Sequence, residues 1–463
     1  MADNELLVSA DEVERCPGLS WDELAASDSR RVPAVLLEDT YRYLGSEPLS
    51  TDRYTCPQFF QQELEKMWPR VWQFVAREEE LLEPGSVVVY ENTGRSYLIT
   101  RQQDGSVRAF HNVCLHRGRK LRTANGRVNE FRCPYHAFSW NTDGSIKQIP
   151  CRWDFKHLSD EQMTLPEAQV GRWAGYIFIK EEQGGQSLEE YLAPLPEHFQ
   201  RWKHERRTTT AWAGKVVAAN WKACAEAFME AFHVIATHPQ IMPFTGDANS
   251  KYNLYGDNIN LAITPFGTTS PHLAEAQLEE QAVMDAFLRY NGRVVPEGGA
   301  ITVPEGLSAR RAMGDFNRHR FSEMSGMDLS DVSDAEVQDA LTYNVFPNFS
   351  PWGGFSSAVV YRWRPWPDQD HTLMEVRILS LVPDGQDIPA AVPMRLLNDD
   401  EPWADALGVL GSILDQDMGN LPHVQSGMKA SKNKQLHLGN YQEVRIRHFH
   451  QTLDRYLNDE VAP

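Results

Sequence analysis

The sequence predicts an α+β protein, with a small antiparallel β domain preceding a larger domain of mixed helices and strands. Three observations carry this. Between about residues 72 and 182, short β-rich runs ("SVVVYEN", "SYLITRQ", "VRAFHNV", "GYIFIKE") are separated by turn signals such as Asp104-Gly105 and Asp143-Gly144. From about residue 187 the texture turns mixed, and "ALTYNVFPNFSPW", "SSAVVYRWRPW" and "LMEVRILSLVP" read as strands of a second sheet. Between and after these, "NWKACAEAFMEAFHVIATHP" and "EVRIRHFHQTLDRYL" read as helices.

The elements then fall in order. The opening segment "MADNELLVSADEVERC" is acidic and lacks an apolar h-region, so no secretory signal is expected. "SWDELAAS" is a short helix, and "CPQFFQQELEKMWPRVW" a longer one whose Phe59, Phe60, Leu64, Met67 and Trp68 form one apolar face for core packing. Residues 271–340 are acidic and largely helical, carry a "PEGGAITVPEG" loop, and read as an excursion over one sheet edge. The expected division is an N-terminal arm and helix at 1–67, the β domain at 68–187, and the mixed domain at 188–463 with the 271–340 excursion as a lid.

Composition narrows the class. A chain of 463 residues with 41% hydrophobic and 10% aromatic content can bury a sizeable core. A formal net charge of -19 weighs against a nucleic-acid partner. No run approaches about 18 consecutive apolar residues, so no membrane span is expected. Six cysteines in a chain this long are too sparse for a disulfide framework, which points to reduced thiols in the cytoplasm.

Two of those cysteines stand beside histidines. "CLHRGRKLRTANGRVNEFRCPYHAF" holds Cys114/His116 and Cys133/His136, with 16 residues between His116 and Cys133. A structural zinc module normally separates paired ligands by two residues or more, which Cys114-Leu115-His116 does not. A mixed two-iron cluster fits better: Cys114 and Cys133 on one iron, His116 and His136 on the other, the neutral imidazoles raising the reduction potential. The intervening strip carries Arg117, Arg119, Lys120, Arg122, Arg127 and Arg132 against the single acid Glu130. It reads either as a solvated basic loop or as a landing face for an acidic electron donor.

A second constellation lies in "NWKACAEAFMEAFHVIATHP". His233 and His238 are five apart and cannot share one helix face, but Pro239 ends the helix at His238, so both can converge from the helix end and its exit loop.

These motifs resemble those of the Rieske non-haem iron oxygenases, in particular the α (terminal oxygenase) subunits of the aromatic ring-hydroxylating type. "HNVCLHRG" and "CPYHAFSWNTDG" are similar to that family's cluster loops. Arg119 and Tyr135 stand where the respiratory electron carriers have further cysteines, so their extra disulfide cannot form. The resemblance covers about residues 54–458 and implies a helix-grip-like catalytic domain around a central antiparallel sheet.

It implies a [2Fe-2S] Rieske cluster and a mononuclear Fe(II) held by His233, His238 and a late carboxylate in "LDQDMGNLPHVQSGM", which the resemblance places at Asp417, with its neighbour Asp415 as the rival. Helix-start capping is the bland reading of both acids. Glu230 stands where aspartate is frequent, and by resemblance bridges His233 to the cluster ligand His136 of a neighbouring subunit. Phe232 stands where tyrosine often precedes the first histidine, and Asn220 sits either near the iron or as a helix cap.

The activity implied is that of a terminal oxygenase. It takes electrons originating in NADH or NADPH from a separate reductase or ferredoxin, and inserts oxygen from O2 into an aromatic or polycyclic apolar substrate, by hydroxylation or oxidative demethylation. No G-x-G-x-x-G follows a strand, so the reductase is a separate protein. A ring-shaped homotrimer, with or without a small β subunit, is also implied. The competing reading is a Rieske electron-transfer protein without oxygenase activity.

Overall fold

The computed structural model describes residues 14–291, 301–356 and 358–461. The opening segment up to residue 13 and the first part of the "PEGGAITVPEG" loop lie outside the described residues.

The β domain is a seven-stranded antiparallel sheet whose neighbours run Gln73–Arg77, Tyr176–Lys180, Glu167–Trp173, Val107–His111, Arg95–Arg101, Ser86–Asn92 and Gly126–Arg127. Strand alternation sends Ile99 to one face with Val75, Val88 and Ile177, and Leu98 to the other with Phe110, Cys114 and Cys133. Both faces are therefore packed, and the second carries the Cys/His loops. Gly105 and Gly144 sit at φ +83, as the Asp-Gly turns require.

The larger domain centres on a sheet in which Ser350–Pro351, Ala358–Pro365, Thr372–Leu381 and Arg207–Val217 pair antiparallel and Arg395–Leu396 adds a short parallel edge. The Val409–Ala430 and Val444–Leu457 helices cover it, packing Leu414, Leu421, Ile446 and Phe449 against Val359, Tyr361 and Val376.

Three expectations need correction. "ALTYNVFPNFSPW" does not enter one sheet. Ala340–Val345 joins a separate three-stranded sheet with Lys251–Tyr255 and Ile259–Thr264, and the chain reverses through Pro347 before Ser350–Pro351 enters the larger sheet. A hydrogen bond from Val345 N–H to Phe349 O (2.7 Å) closes that reversal.

The helix expected through His238 is broken. Trp221–Glu226 ends, the chain bends, and only Val234–Thr237 is helical beyond it. At the start of the second helix the Glu230 carboxylate accepts the His233 backbone N–H (3.1 Å). In the "CPQFF" region the helix Pro57–Gln62 passes into a π-helical turn over Glu63–Met67.

The short helix Trp21–Ala26 forms as expected, with a capping box between Ser20 and Glu23. The 271–340 excursion folds into the Glu280–Tyr290 and Ala309–Ser325 helices and the short Asp334–Gln338 helix.

Candidate metal centres and the cavity between their elements

The two Cys/His loops are built alike. Cys114 N–H donates to Arg119 O (2.8 Å) and Gly118 N–H returns to Cys114 O (2.9 Å); Cys133 N–H donates to Phe138 O (2.8 Å) and Ala137 N–H returns to Cys133 O (3.0 Å). The fourth residue after each cysteine is left-handed, Gly118 at φ +73 and Ala137 at φ +60. Only that conformation turns each loop tightly enough to aim its thiol and imidazole the same way.

The four side chains meet. Cys114 and Cys133 are 2% and 1% exposed, and the His116 and His136 rings lie 4.7 Å apart. Burial first, then the neighbouring Cys133, raises the Cys114 thiol, while burial followed by His136 and Arg117 lowers His116. Phe138 stacks on His116 at 4.6 Å. Nδ1 of His116 and of His136 are both buried without a hydrogen-bond partner. Two thiols and two orphaned imidazole nitrogens facing one space fit a two-iron cluster, since buried polar atoms are otherwise paired.

The second group brings His233 and His238 to Asp417, which lies 179 positions beyond His238. His233 and His238 flank the one-turn helix Val234–Thr237, and their rings come within 5.2 Å. Asp417, 5% exposed on the Val409–Ala430 helix, places Oδ1 2.9 Å from His238 Nε2 and 3.7 Å from His233 Nε2. The three potential ligand atoms lie within 4.8 Å of one another. Each imidazole is oriented from behind: Glu230 Oε1 is 2.5 Å from His233 Nδ1, and Gln416 Oε1 is 2.8 Å from His238 Nδ1. Both oxygens accept, so Nδ1 carries a proton on each ring and Nε2 is the nitrogen turned toward Asp417 and available to a metal. Burial by itself would lower His233, but Glu230 and Asp417 outweigh it and raise it. Two imidazoles and a carboxylate on one side of an open space could hold iron(II) with positions left free.

Asp415 is turned away. Its carboxylate accepts the backbone N–H groups of Trp403 (2.7 Å) and Ala404 (3.2 Å), capping the helix before its own. Neither acid starts the late helix, because that helix begins at Val409. Asn220 is also spoken for. It is 1% exposed, its Oδ1 caps Lys222 N–H (3.0 Å), and its Nδ2 donates to Tyr54 O and Gln369 O. It does not line the cavity beside the triad, so the expected place near the iron gives way to a cap.

Sequence reasoning passed over Gln416, whose only signal was its position next to Asp417.

The triad opens onto a cavity of about 630 Å³, within the range of small-molecule sites. Phe228, Trp352, Tyr361 and Ile413 are among its walls. Of the aromatic residues in "NVFPNFSPW" and "YRWRPW", Trp352 and Tyr361 line the cavity, whereas Phe346, Phe349 and Trp363 are sheet core.

The profile described as "Ring hydroxylating alpha subunit (catalytic domain)" matches residues 197–459, more than half of the chain, and that described as "Rieske [2Fe-2S] domain" matches residues 71–159. The chain belongs to the ring-hydroxylating alpha-subunit family. This alpha subunit is 30% identical over 189 residues to the carnitine monooxygenase oxygenase subunit of Acinetobacter baumannii, covering 40% of this chain and 51% of that one. It is 33% identical over 189 residues to the large oxygenase component of the naphthalene 1,2-dioxygenase system of Pseudomonas aeruginosa, covering 39% and 42%. The chain thus spans about half the length of the curated relatives it matches. Among solved structures, the quaternary ammonium Rieske monooxygenase CntA with L-carnitine superposes with TM-score 0.61 at 18% identity, over 89% of this chain and 95% of that one. Naphthalene 1,2-dioxygenase with indole bound gives TM-score 0.61 at 21% identity, over 89% and 92%. These likenesses show that the alpha subunit has the two-domain fold of Rieske oxygenases.

Proposed function

We propose that the chain is the terminal oxygenase component of a Rieske-type mono- or dioxygenase. In this role it takes electrons from a separate ferredoxin or reductase supplied by NADH or NADPH. It inserts oxygen from O2 into an aromatic or polycyclic apolar substrate, by hydroxylation or oxidative demethylation. The observation that carries this is the His233/His238/Asp417 group opening onto a largely apolar cavity. An electron carrier has no use for such a cavity.

Cys114, His116, Cys133 and His136 would hold the [2Fe-2S] cluster, and His233, His238 and Asp417 the iron. The bound cluster supplies one-electron storage, and the bound iron(II) supplies activation of O2. The protein's part is placement. Glu230 and Gln416 hold a proton at Nδ1 of His233 and His238, leaving both Nε2 atoms to ligate. The aromatic walls seat the substrate beside the metal and exclude water.

We keep the division into an arm at 1–67, a Rieske domain at 68–187 and a catalytic domain at 188–463, with 271–340 as lid, because the excursion's helices contribute Phe287, Tyr290 and Phe321 to the cavity. We infer a homotrimer, with or without a small β subunit, from the family resemblance. Within one chain His136 makes no hydrogen bond to a carboxylate among the described residues, and Glu230 in an adjacent copy would provide it.

Arg117, Arg119 and Arg122 have no acidic partner among the described residues, whereas Lys120, Arg127 and Arg132 pair with Glu91, Glu83 and Glu130. With the exposed Tyr135 and Trp153 they form the face on which we place the electron donor. Among the described residues no helix is long and apolar enough to cross a membrane. The free cysteines fit a cytoplasmic setting.

Iron analysis with isotopic oxygen tests the assignment. About three irons per chain and 18O from O2 in the product are expected. About two irons and no substrate-dependent O2 uptake would leave an electron-transfer protein.

A further inference from the structure

One wall of the cavity is polar. Asn317 and Arg320 lie three apart on the Ala309–Ser325 helix and line the cavity together. Arg320 is half-buried, yet it has neither an acidic partner nor a hydrogen bond among the described residues; its guanidinium carbon lies 5.7 Å from the Phe321 ring centroid. Asn317 is 4% exposed, and its amide has no partner among the described residues.

The other charges on the cavity walls are all engaged. Arg445 donates to Asn260 Oδ1 and to the Met229 and Thr342 carbonyls, and Asp339 binds Arg310. Glu230 and Asp417 face the two histidines. Thr245 Oγ1 and Gln338 Oε1, on the same walls, are buried without partners. A plain hydrocarbon would leave Arg320, Asn317, Thr245 Oγ1 and Gln338 Oε1 unpaired, which is costly inside a protein.

We propose that the substrate carries an anionic group, a carboxylate, held by Arg320 and Asn317 while its apolar body lies along Phe228, Trp352 and Tyr361 toward the iron group. This rests on the oxygenase reading and adds a substrate class to it. The guanidinium fork matches a carboxylate in two parallel bonds, and an amide N–H one helical turn away adds a third donor.

The test is calorimetric binding to the full-length, iron-loaded protein of two matched pairs, benzoate against toluene and 2-naphthoate against 2-methylnaphthalene. In at least one pair the carboxylate is expected to bind at least roughly tenfold more tightly than its methyl counterpart. Arg320→Gln is expected to erase that preference, and Arg320→Lys to keep part of it. The cluster's visible spectrum reports that each variant folds, and Asn317→Ala, expected to weaken the preference severalfold, serves if Arg320→Gln does not fold. No carboxylate preference in either pair, or a preference that survives these substitutions, overturns the proposal. Substrate-dependent O2 uptake, measured separately on all four compounds, tests the oxygenase reading on its own.

Discussion

Oδ1 of Asp417 lies 2.9 Å from Nε2 of His238, although the two are 179 positions apart in the chain. The acid two positions earlier, Asp415, points the other way and caps Trp403 and Ala404. The two carboxylates should therefore fail differently. Asp417→Ala is expected to lower iron from about three to about two per chain, abolish turnover and leave the cluster spectrum intact. Asp415→Ala should keep its iron and lose about 1 kcal/mol of stability, the usual cost of a lost cap. Metal analysis beside urea unfolding separates them; iron loss in Asp415→Ala would reverse the assignment.

Gln416 holds His238 from behind, and Gln240 Nε2 donates to the same Gln416 oxygen (2.7 Å). Gln416→Leu removes the acceptor that fixes the His238 tautomer. Iron affinity should fall roughly 10–100-fold. Competition with a chelator reads this directly, independently of turnover. Unchanged affinity would mean that packing alone orients the ring.

Ala137 occupies a left-handed conformation, at φ +60, that its counterpart Gly118 occupies without strain. For a residue with a Cβ this costs roughly 1–2 kcal/mol. Ala137→Gly should recover part of it, raising stability by about 1 kcal/mol while leaving the cluster spectrum unchanged. A denaturation midpoint at or below that of the parent would show that the loop is held by something other than this turn.

Glu375 predicts a pH dependence. Burial would raise it, but Arg362 and Arg364 outweigh burial and hold it at about 2. Arg362 sits directly across the strand pair from Glu375 and also donates to Val75 O (2.6 Å) in the β domain. Because the folded value lies below the ordinary one near 4.5, this stabilisation is present above pH 4.5 and is lost as pH falls toward 2. Glu375→Gln leaves buried guanidinium groups unneutralised and should cost roughly 3–5 kcal/mol at pH 7. Urea midpoints between pH 7 and 3 should fall less steeply in this variant than in the parent; parallel curves would contradict the assignment.

The cluster loops were legible because all four side chains lie within 23 residues and their chemistry depends on spacing. The strands Ala358–Pro365 and Thr372–Leu381 were legible because both are long and rich in β-branched and aromatic residues. The break in the helix after Glu226 was not, because nothing in "AEAFMEAFHV" disfavours a helix locally. The bend brings the Glu230 carboxylate onto the His233 backbone N–H, a contact that depends on the folded turn. The roles of Asn220 and Asp415 were hidden for the same reason. A polar side chain next to a motif can cap or ligate, and only its surroundings decide which.

By itself, the sequence determined the order of the two domains, the four cluster side chains, and the two histidines beside Pro239, since these rest on residue types and short separations. The resemblance of the late helix already pointed to Asp417; the tertiary structure alone decided that Asp415 turns away as a cap, that Gln416 stands behind His238, and that Arg320 and Asn317 face the cavity. These depend on the packing of helices nearly two hundred residues apart, and no local pattern encodes such a distance.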